Sequence, residues 1–153
     1  MNFLESLFHF RFSKFERKVF LVVGAPCSGK SSWVESVATK EDLILDVDKL
    51  WAAISINPLH IKSNRLTPIA MTLRNTMLDQ IQMRSGSWIN CYVLTTEAYS
   101  EERRQMCIRL GVDSIITMEA TRSECLKRLY ENIIFSSRSF IIKKALRKKC
   151  FFQ

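Results

Sequence analysis

Five consecutive apolar residues, Val19 to Val23, lead directly into Gly24-Ala25-Pro26-Cys27-Ser28-Gly29-Lys30-Ser31 and then into Ser32 and Trp33. A strand, a glycine-bearing turn and a helix in immediate succession constrain the fold more than any other part of the chain. The helix must cross to a second strand, and such crossovers are right-handed and set that strand parallel to the first. The turn carries chemistry as well. Gly24 and Gly29 permit backbone angles that aim successive N–H groups inward, and a helix opening near Gly29 points its positive end into the same nest. The spacing of Gly24, Gly29, Lys30 and Ser31 is G-x-x-x-x-G-K-[ST] in full, the pattern of a phosphate-binding P-loop.

Such a nest predicts a nucleoside triphosphate as ligand, and ATP and Mg²⁺ are the expected cofactors. Gly24, Ala25, Pro26, Cys27, Ser28, Gly29, Lys30, Ser31 and Ser32 are expected to surround the phosphates. Lys30 would reach the β- and γ-phosphates, and the Ser31 hydroxyl would sit on Mg²⁺. Ser32 stands one position too late to take the place of Ser31. The competing reading is a glycine turn without a ligand. Four fixed positions of these types arise by accident in roughly one chain in 200 of this length, which argues against it.

After a helix from Gly29 to about Thr39, Leu43-Ile44-Leu45-Asp46-Val47-Asp48 reads as a short buried strand ending in carboxylates. The right-handed crossover places that end at the same rim of the sheet as the glycine loop. If the strand persists, Asp46 and Asp48 share one face. One carboxylate near Mg²⁺ (Asp46) and one facing an acceptor (Asp48) is the chemically useful arrangement; the plainer alternative is that Asp48 caps a helix from Lys49 to Ile56. Asn57 to Leu66, with His60, Lys62 and Arg65, reads as a polar loop, either solvated or touching an acceptor. A helix from Thr67 to Arg84 follows, with Thr67 as cap, Pro68 in the first turn and Ile69, Leu73, Met77, Leu78 and Ile81 as its core stripe. A turn at Ser85-Gly86-Ser87 precedes a third strand, Trp88 to Leu94, with Thr95, Thr96 and Glu97 at the binding rim. Then come a helix from Ser100 to Leu110, a turn at Gly111 and a fourth strand from Ser114 to Met118. Thr121-Arg122-Ser123-Glu124 forms a capping box for a helix to about Asn132. Arg122 and Arg128 lie on it, where a lid would carry them over the phosphates or solvent would take them.

A chain of 153 residues suits one domain with short appendages. No run approaches the roughly 18–20 apolar residues of a bilayer span, so no transmembrane segment is expected. Met1 to Phe12 lacks a basic leader and a small-residue cleavage site, which predicts a cytoplasmic protein. The five cysteines are odd in number and widely spaced, so neither a zinc site nor a disulfide frame is indicated. Cys27 is read as a small tolerated loop residue, or as a thiol whose oxidation or alkylation would block the nucleotide. The net charge of +8 belongs to the ends: residues 1–18 carry +2, residues 134–153 carry +6, and the middle is neutral. Nucleic-acid contact is thus expected only as a nonspecific property of the basic tail. Over residues 1–18 Phe3, Leu4, Leu7 and Phe8 follow helical spacing whereas Phe8, Phe10 and Phe12 alternate as in a strand; the segment is read as an N-terminal helix that packs on the domain, meets a partner or rests on a membrane surface.

The GAPCSGKS loop, the LILDVDKLW strand end and the ATRSECLKRLYEN segment together resemble the P-loop kinases of the polynucleotide kinase and adenylylsulfate kinase group, and most closely the small phage-type P-loop ATPase/kinase proteins. The resemblance covers about Lys18 to Asn132. It implies a boundary of an N-terminal aromatic and basic segment (1–17), a P-loop NTPase domain (18–132) and a basic tail (133–153). With the β-α alternation it implies an α/β fold of three layers, a parallel sheet of about four strands ordered 2-3-1-4 with helices on both faces. It also implies transfer of the γ-phosphate of ATP to a hydroxyl acceptor, with Asp48 orienting the acceptor hydroxyl and Arg128 as the lid arginine. Lys30, Asp48 and Arg128 are then the catalytic residues, and Ser31 and Asp46 the Mg²⁺ ligands. Three residues after Asp48, where the group often carries an arginine, this chain has Trp51. The rival expectation is a nucleotide-gated ATPase or a module that binds nucleic acid or a partner without phosphotransfer.

Overall fold

Buried strands alternating with crossing helices have one economical solution, a parallel sheet covered on both faces. The computed structural model describes residues 16–56, 62–96, 100–132 and 134. In chain order these form β1 (Lys18–Gly24), α1 (Lys30–Val37), β2 (Leu43–Leu45), α2 (Val47–Ile54), a 3₁₀ turn (Asn64–Leu66), α3 (Thr67–Gln82), β3 (Asn90–Thr95), α4 (Ser100–Leu110) and β4 (Ser114–Met118). A last helix, α5, runs over residues 122–132. The four strands are parallel and ordered β2-β3-β1-β4, as the alternation and the resemblance led us to expect.

β1 lies inside the sheet and is apolar because neither face meets water. Its Val19, Leu21 and Val23 join Leu45, Cys91 and Val93 against Leu78 and Ile81 of α3 and Leu110 of α4, with Leu50 of α2 packed at the margin. The opposite face presents Val22, Tyr92 and Leu94 to Val34 of α1, flanked by Phe20, Trp33 and Ile44. There Phe20 stacks on Tyr92 at 5.3 Å between ring centroids, and Trp33 meets the same ring edge-on at 6.2 Å. The layers are thus α1, the sheet, and α2 to α4.

Polar side chains fix the ends of these strands. Asp113 accepts from the Val19 N–H at 2.7 Å and its own N–H donates to the Val19 carbonyl at 2.8 Å, which holds β4 in register with β1. Arg84, at φ 52, donates to the carbonyls of Ile81, Leu110 and Gly111 and so ties the C-terminal ends of α3 and α4 together. Asp42 accepts from the N–H groups and side chains of both Thr39 and Asn90 at 2.8–3.0 Å, joining the α1–β2 turn to the start of β3. Burial pushes the Asp42 carboxyl up, yet these four hydrogen bonds hold it below the usual aspartate value. A carboxyl lowered on folding adds stability that is present above its unfolded pKa and is lost as pH falls through the folded one. Asp42→Ala is therefore expected to cost about 2 kcal/mol near pH 7 and progressively less below about pH 4. Urea unfolding of both proteins across that range checks it.

Several sequence expectations are corrected. The core face of α3 is Ala70, Met77, Leu78 and Ile81, whereas Ile69 and Leu73 are 55% and 38% exposed. At 100° per residue Leu73 and Ile69 lie about 80° and 120° from the centre of that face, so they miss the sheet. Thr67 is the first helical residue and not the cap, because the 3₁₀ turn runs straight into α3 and the Asn64 carbonyl accepts the Thr67 N–H. Trp88 precedes β3; its indole donates to the Ser85 carbonyl and its ring is buried in the core. Lys18 opens β1 and Glu16 and Arg17 are not helical; the remainder of the expected N-terminal helix lies outside the described residues, as does the tail beyond residue 134. No helix among the described residues is long and apolar enough to cross a membrane.

Candidate functional site

The loop from Gly24 to Ser31 leaves the carboxyl end of β1 between β3 and β4 and enters α1. A side chain at Gly24 would not fit: a Cβ there would stand 2.6 Å from Ser28 Oγ and 2.8 Å from the Met118 carbonyl oxygen. Gly29 takes φ 98 at the N-terminus of α1, a conformation that strains any other residue. Cys27 adopts φ 61 without being glycine, and the buried Ser28 Oγ has no hydrogen-bond partner. Ala25, Pro26 and Ser32 are exposed. A loop that stores backbone strain and leaves a buried hydroxyl unpaired is held in shape by its surroundings, as ligand-binding loops commonly are.

Lys30 folds back over this loop. Its ammonium donates to the carbonyls of Gly24 and Ala25, both at 2.7 Å. Burial lowers the Lys30 ammonium from its ordinary value, against the pull of Asp46 and Asp48. The cation thus stands at the loop with two carboxylates in electrostatic reach.

Ser31 and Asp46 meet. The Ser31 hydroxyl donates to Asp46 Oδ2 at 2.8 Å, and Asp46 Oδ1 accepts from the Asp48 N–H at 3.0 Å. Asp46 is only 7% exposed, so a carboxylate is buried at the rim where β2 ends. This differs from the sequence expectation in one respect. β2 stops at Leu45, Asp46 is the N-cap of α2, and Asp48 lies in its first turn. The two carboxylates therefore do not share a strand face, and the capping role considered for Asp48 belongs to Asp46. The cause is the short strand: once Asp46 turns to satisfy the first N–H groups of α2, the pleat ends.

Asp48 faces a partner that sequence reasoning left in a solvated loop. Lys62 Nζ lies 2.6 Å from Asp48 Oδ1, an ion pair with both side chains partly exposed. Nothing local could have revealed it, since the two residues are joined only by the fold. His60, considered in the loop that could touch an acceptor, and Glu97, considered at the rim, lie outside the described residues. Trp51 is buried at 3% exposure and so points into the protein, away from any acceptor.

The capping box forms as read: the Thr121 N–H and hydroxyl donate to Glu124 Oε2 at 2.8 and 2.9 Å, and the Glu124 N–H donates to Thr121 Oγ1 at 3.2 Å. These bonds hold the Glu124 carboxyl below its ordinary value. Starting α5 there aims Arg128 at the loop. Arg128 donates to the Cys27 carbonyl at 3.2 Å, and the same Nη1 would lie 3.7 Å from a Cβ on Gly29. Arg122 stays exposed. Lys30, Ser31, Asp46, Asp48 and Arg128 therefore gather around one loop from three separate stretches of chain.

Hard oxygen donors, one carboxylate and one hydroxyl, suit Mg²⁺, which takes few protein ligands and completes its shell with phosphate and water. No group of three or more His, Cys, Asp or Glu that could hold a metal is found among the described residues. Compared with known proteins, the chain matches no family model and no curated protein.

Proposed function

We propose that this chain is an ATP-binding P-loop phosphotransferase, a kinase of the three-layer P-loop NTPase fold, that moves the γ-phosphate to a hydroxyl acceptor such as a nucleotide, a nucleic-acid end or a small alcohol. One observation carries the reading. The loop serine and the buried carboxylate at the end of the second strand are hydrogen-bonded at 2.8 Å, although fifteen residues separate them. A serine and an aspartate so placed beside a glycine loop and a lysine make a site for a divalent cation bound to a triphosphate.

In this mechanism the N–H groups of Gly24 to Ser31 and the N-terminal end of α1 bind the phosphates. Ser31 and Asp46 would hold Mg²⁺, which would supply positive charge to offset that of the phosphate oxygens. Lys30 releases the Gly24 and Ala25 carbonyls and turns to the phosphates. Arg128 leaves the Cys27 carbonyl to take up charge on the transferring group. Asp48 exchanges Lys62 for the acceptor hydroxyl and orients it. The transition state is loose, so orientation matters more than basicity.

The test is ATP labelled in the γ-phosphate, incubated with Mg²⁺ and a panel of 5′-hydroxyl oligonucleotides, nucleosides and small alcohols. Label is expected in one acceptor class. Asp48→Asn should leave ATP affinity within about twofold and lower transfer by about 10²-fold; transfer at the wild-type rate removes Asp48 from its role. The Lys62 ion pair on Asp48 favours a second reading, a nucleotide-gated ATPase or binding module in which that seat is not vacated and label appears only in free phosphate, or not at all.

A further inference from the structure

Two thiols belong to the loop and to the helix that contacts it. Cys27 lies within it, partly exposed, and its carbonyl accepts from Arg128. Cys125 stands one turn before Arg128 on α5, and of residues 121–131 it is the one that is not exposed, so it marks the face that α5 turns toward the protein. Arg128 reaches the loop from that same face, because residues three apart on a helix are neighbours. The other described cysteines are placed differently. Cys91 is fully buried in the sheet, where desolvation pushes its thiol up to about 12, and Cys107 packs against the core.

We propose that Cys27 and Cys125 form an oxidisable pair that closes to a disulfide under peroxide, tying α5 to the loop and shutting the nucleotide site. The link itself follows from the placement of the two cysteines; the shutting rests on the function proposed above. Closure asks that the two Cα atoms come within about 7 Å; the Arg128 hydrogen bond to the Cys27 carbonyl holds α5 one extended arginine side chain and one hydrogen bond from the loop, so α5 must move toward the loop to close the link. The chemistry balances with hydrogen peroxide as oxidant. One thiolate attacks peroxide, breaking its O–O bond and releasing hydroxide, and becomes a sulfenic acid. The second thiol displaces its oxygen as water and forms the S–S bond. Two electrons pass from the sulfurs, and the peroxide ends as two waters. A tethered α5 keeps Arg128 over the Cys27 carbonyl, across the space the triphosphate must enter.

The experiment treats the full chain with hydrogen peroxide, with and without ATP and Mg²⁺, and reads intact mass, non-reducing peptide maps and ATP affinity. The expected result is a monomer lighter by two hydrogens and a linked Cys27–Cys125 peptide, slowed by ATP. ATP affinity should weaken by at least about tenfold and return with dithiothreitol. Cys125→Ser should bind ATP normally when reduced and give no link. A link from Cys27 to any other cysteine, a disulfide dimer, or oxidation without a link overturns the pairing. A Cys27–Cys125 link with unchanged ATP affinity overturns the shutting alone. A reduced protein that binds no ATP overturns the proposed function and the shutting with it, while the linked peptide is still read by mass.

Discussion

Lys30→Ala is expected to lower ATP turnover by about 10²–10³-fold, the loss that follows removal of one preorganised donor from a developing anion. The side chain now spans the loop, bonded to the carbonyls of Gly24 and Ala25 at 2.7 Å. In the proposed mechanism it exchanges both for phosphate oxygens, so its ammonium is already desolvated and positioned before nucleotide arrives. Burial has lowered its hold on the proton, and Asp46 and Asp48 restore part of it. Alanine removes the charge and leaves two loop carbonyls without their donor. Lys30→Met separates these effects, because it keeps the aliphatic stem and removes only the ammonium. Both variants should lose turnover to a similar degree, while thermal unfolding reports how far the loop loosens. Retained turnover and ATP affinity in Lys30→Met would reject the assignment of the loop.

Asp46→Asn is the second large effect, and the cleaner one. The carboxylate is buried and has two partners, the Ser31 hydroxyl on Oδ2 and the Asp48 N–H on Oδ1. Asparagine can satisfy both: its oxygen still accepts from the Asp48 N–H, and its amide donates to the Ser31 oxygen once that hydroxyl rotates. The cap of α2 therefore survives, and stability should change by less than about 1 kcal/mol. What is lost is the negative charge. If Ser31 and Asp46 hold Mg²⁺, turnover at fixed Mg²⁺ should fall by about 10²-fold and recover in part as Mg²⁺ is raised. Asp46→Ala serves as the contrast, since it removes the cap as well and should cost about 1 kcal/mol of stability. An Asp46→Asn protein with an unaltered Mg²⁺ dependence would show that Asp46 is only a helix cap.

The parts of the fold legible in the sequence are those set by neighbours in the chain. Val19 to Val23 read as a strand because both faces of β1 are covered, and the turn at Gly111 and the Thr121–Glu124 box were visible as local chemistry. The strand order followed from the β-α alternation together with the resemblance. Where several weak signals compete, the reading slipped. Ile69 and Leu73 were as apolar as Leu78, and only the placement of α3 on the sheet decides which residues are covered. Asp46 and Asp48 were equally good caps by type, and the early end of β2 decided between them. At the site, the approach of Ser31 to Asp46 was anticipated because both flank a single crossover. The Lys62–Asp48 pair and the three carbonyls gathered by Arg84 were not, since each joins segments that only the tertiary fold brings together.

The central claim is that residues 24–31 bind a magnesium triphosphate, and calorimetric titration of the full chain with ATP in excess Mg²⁺ tests it most directly. The account predicts saturation at one nucleotide per chain with a Kd between about 1 µM and 1 mM, the range in which enzymes meet their substrates. It also predicts binding at least about tenfold weaker for Lys30→Met. A wild-type chain that shows no saturable binding, or a Lys30→Met titration that overlays the wild type, would contradict it.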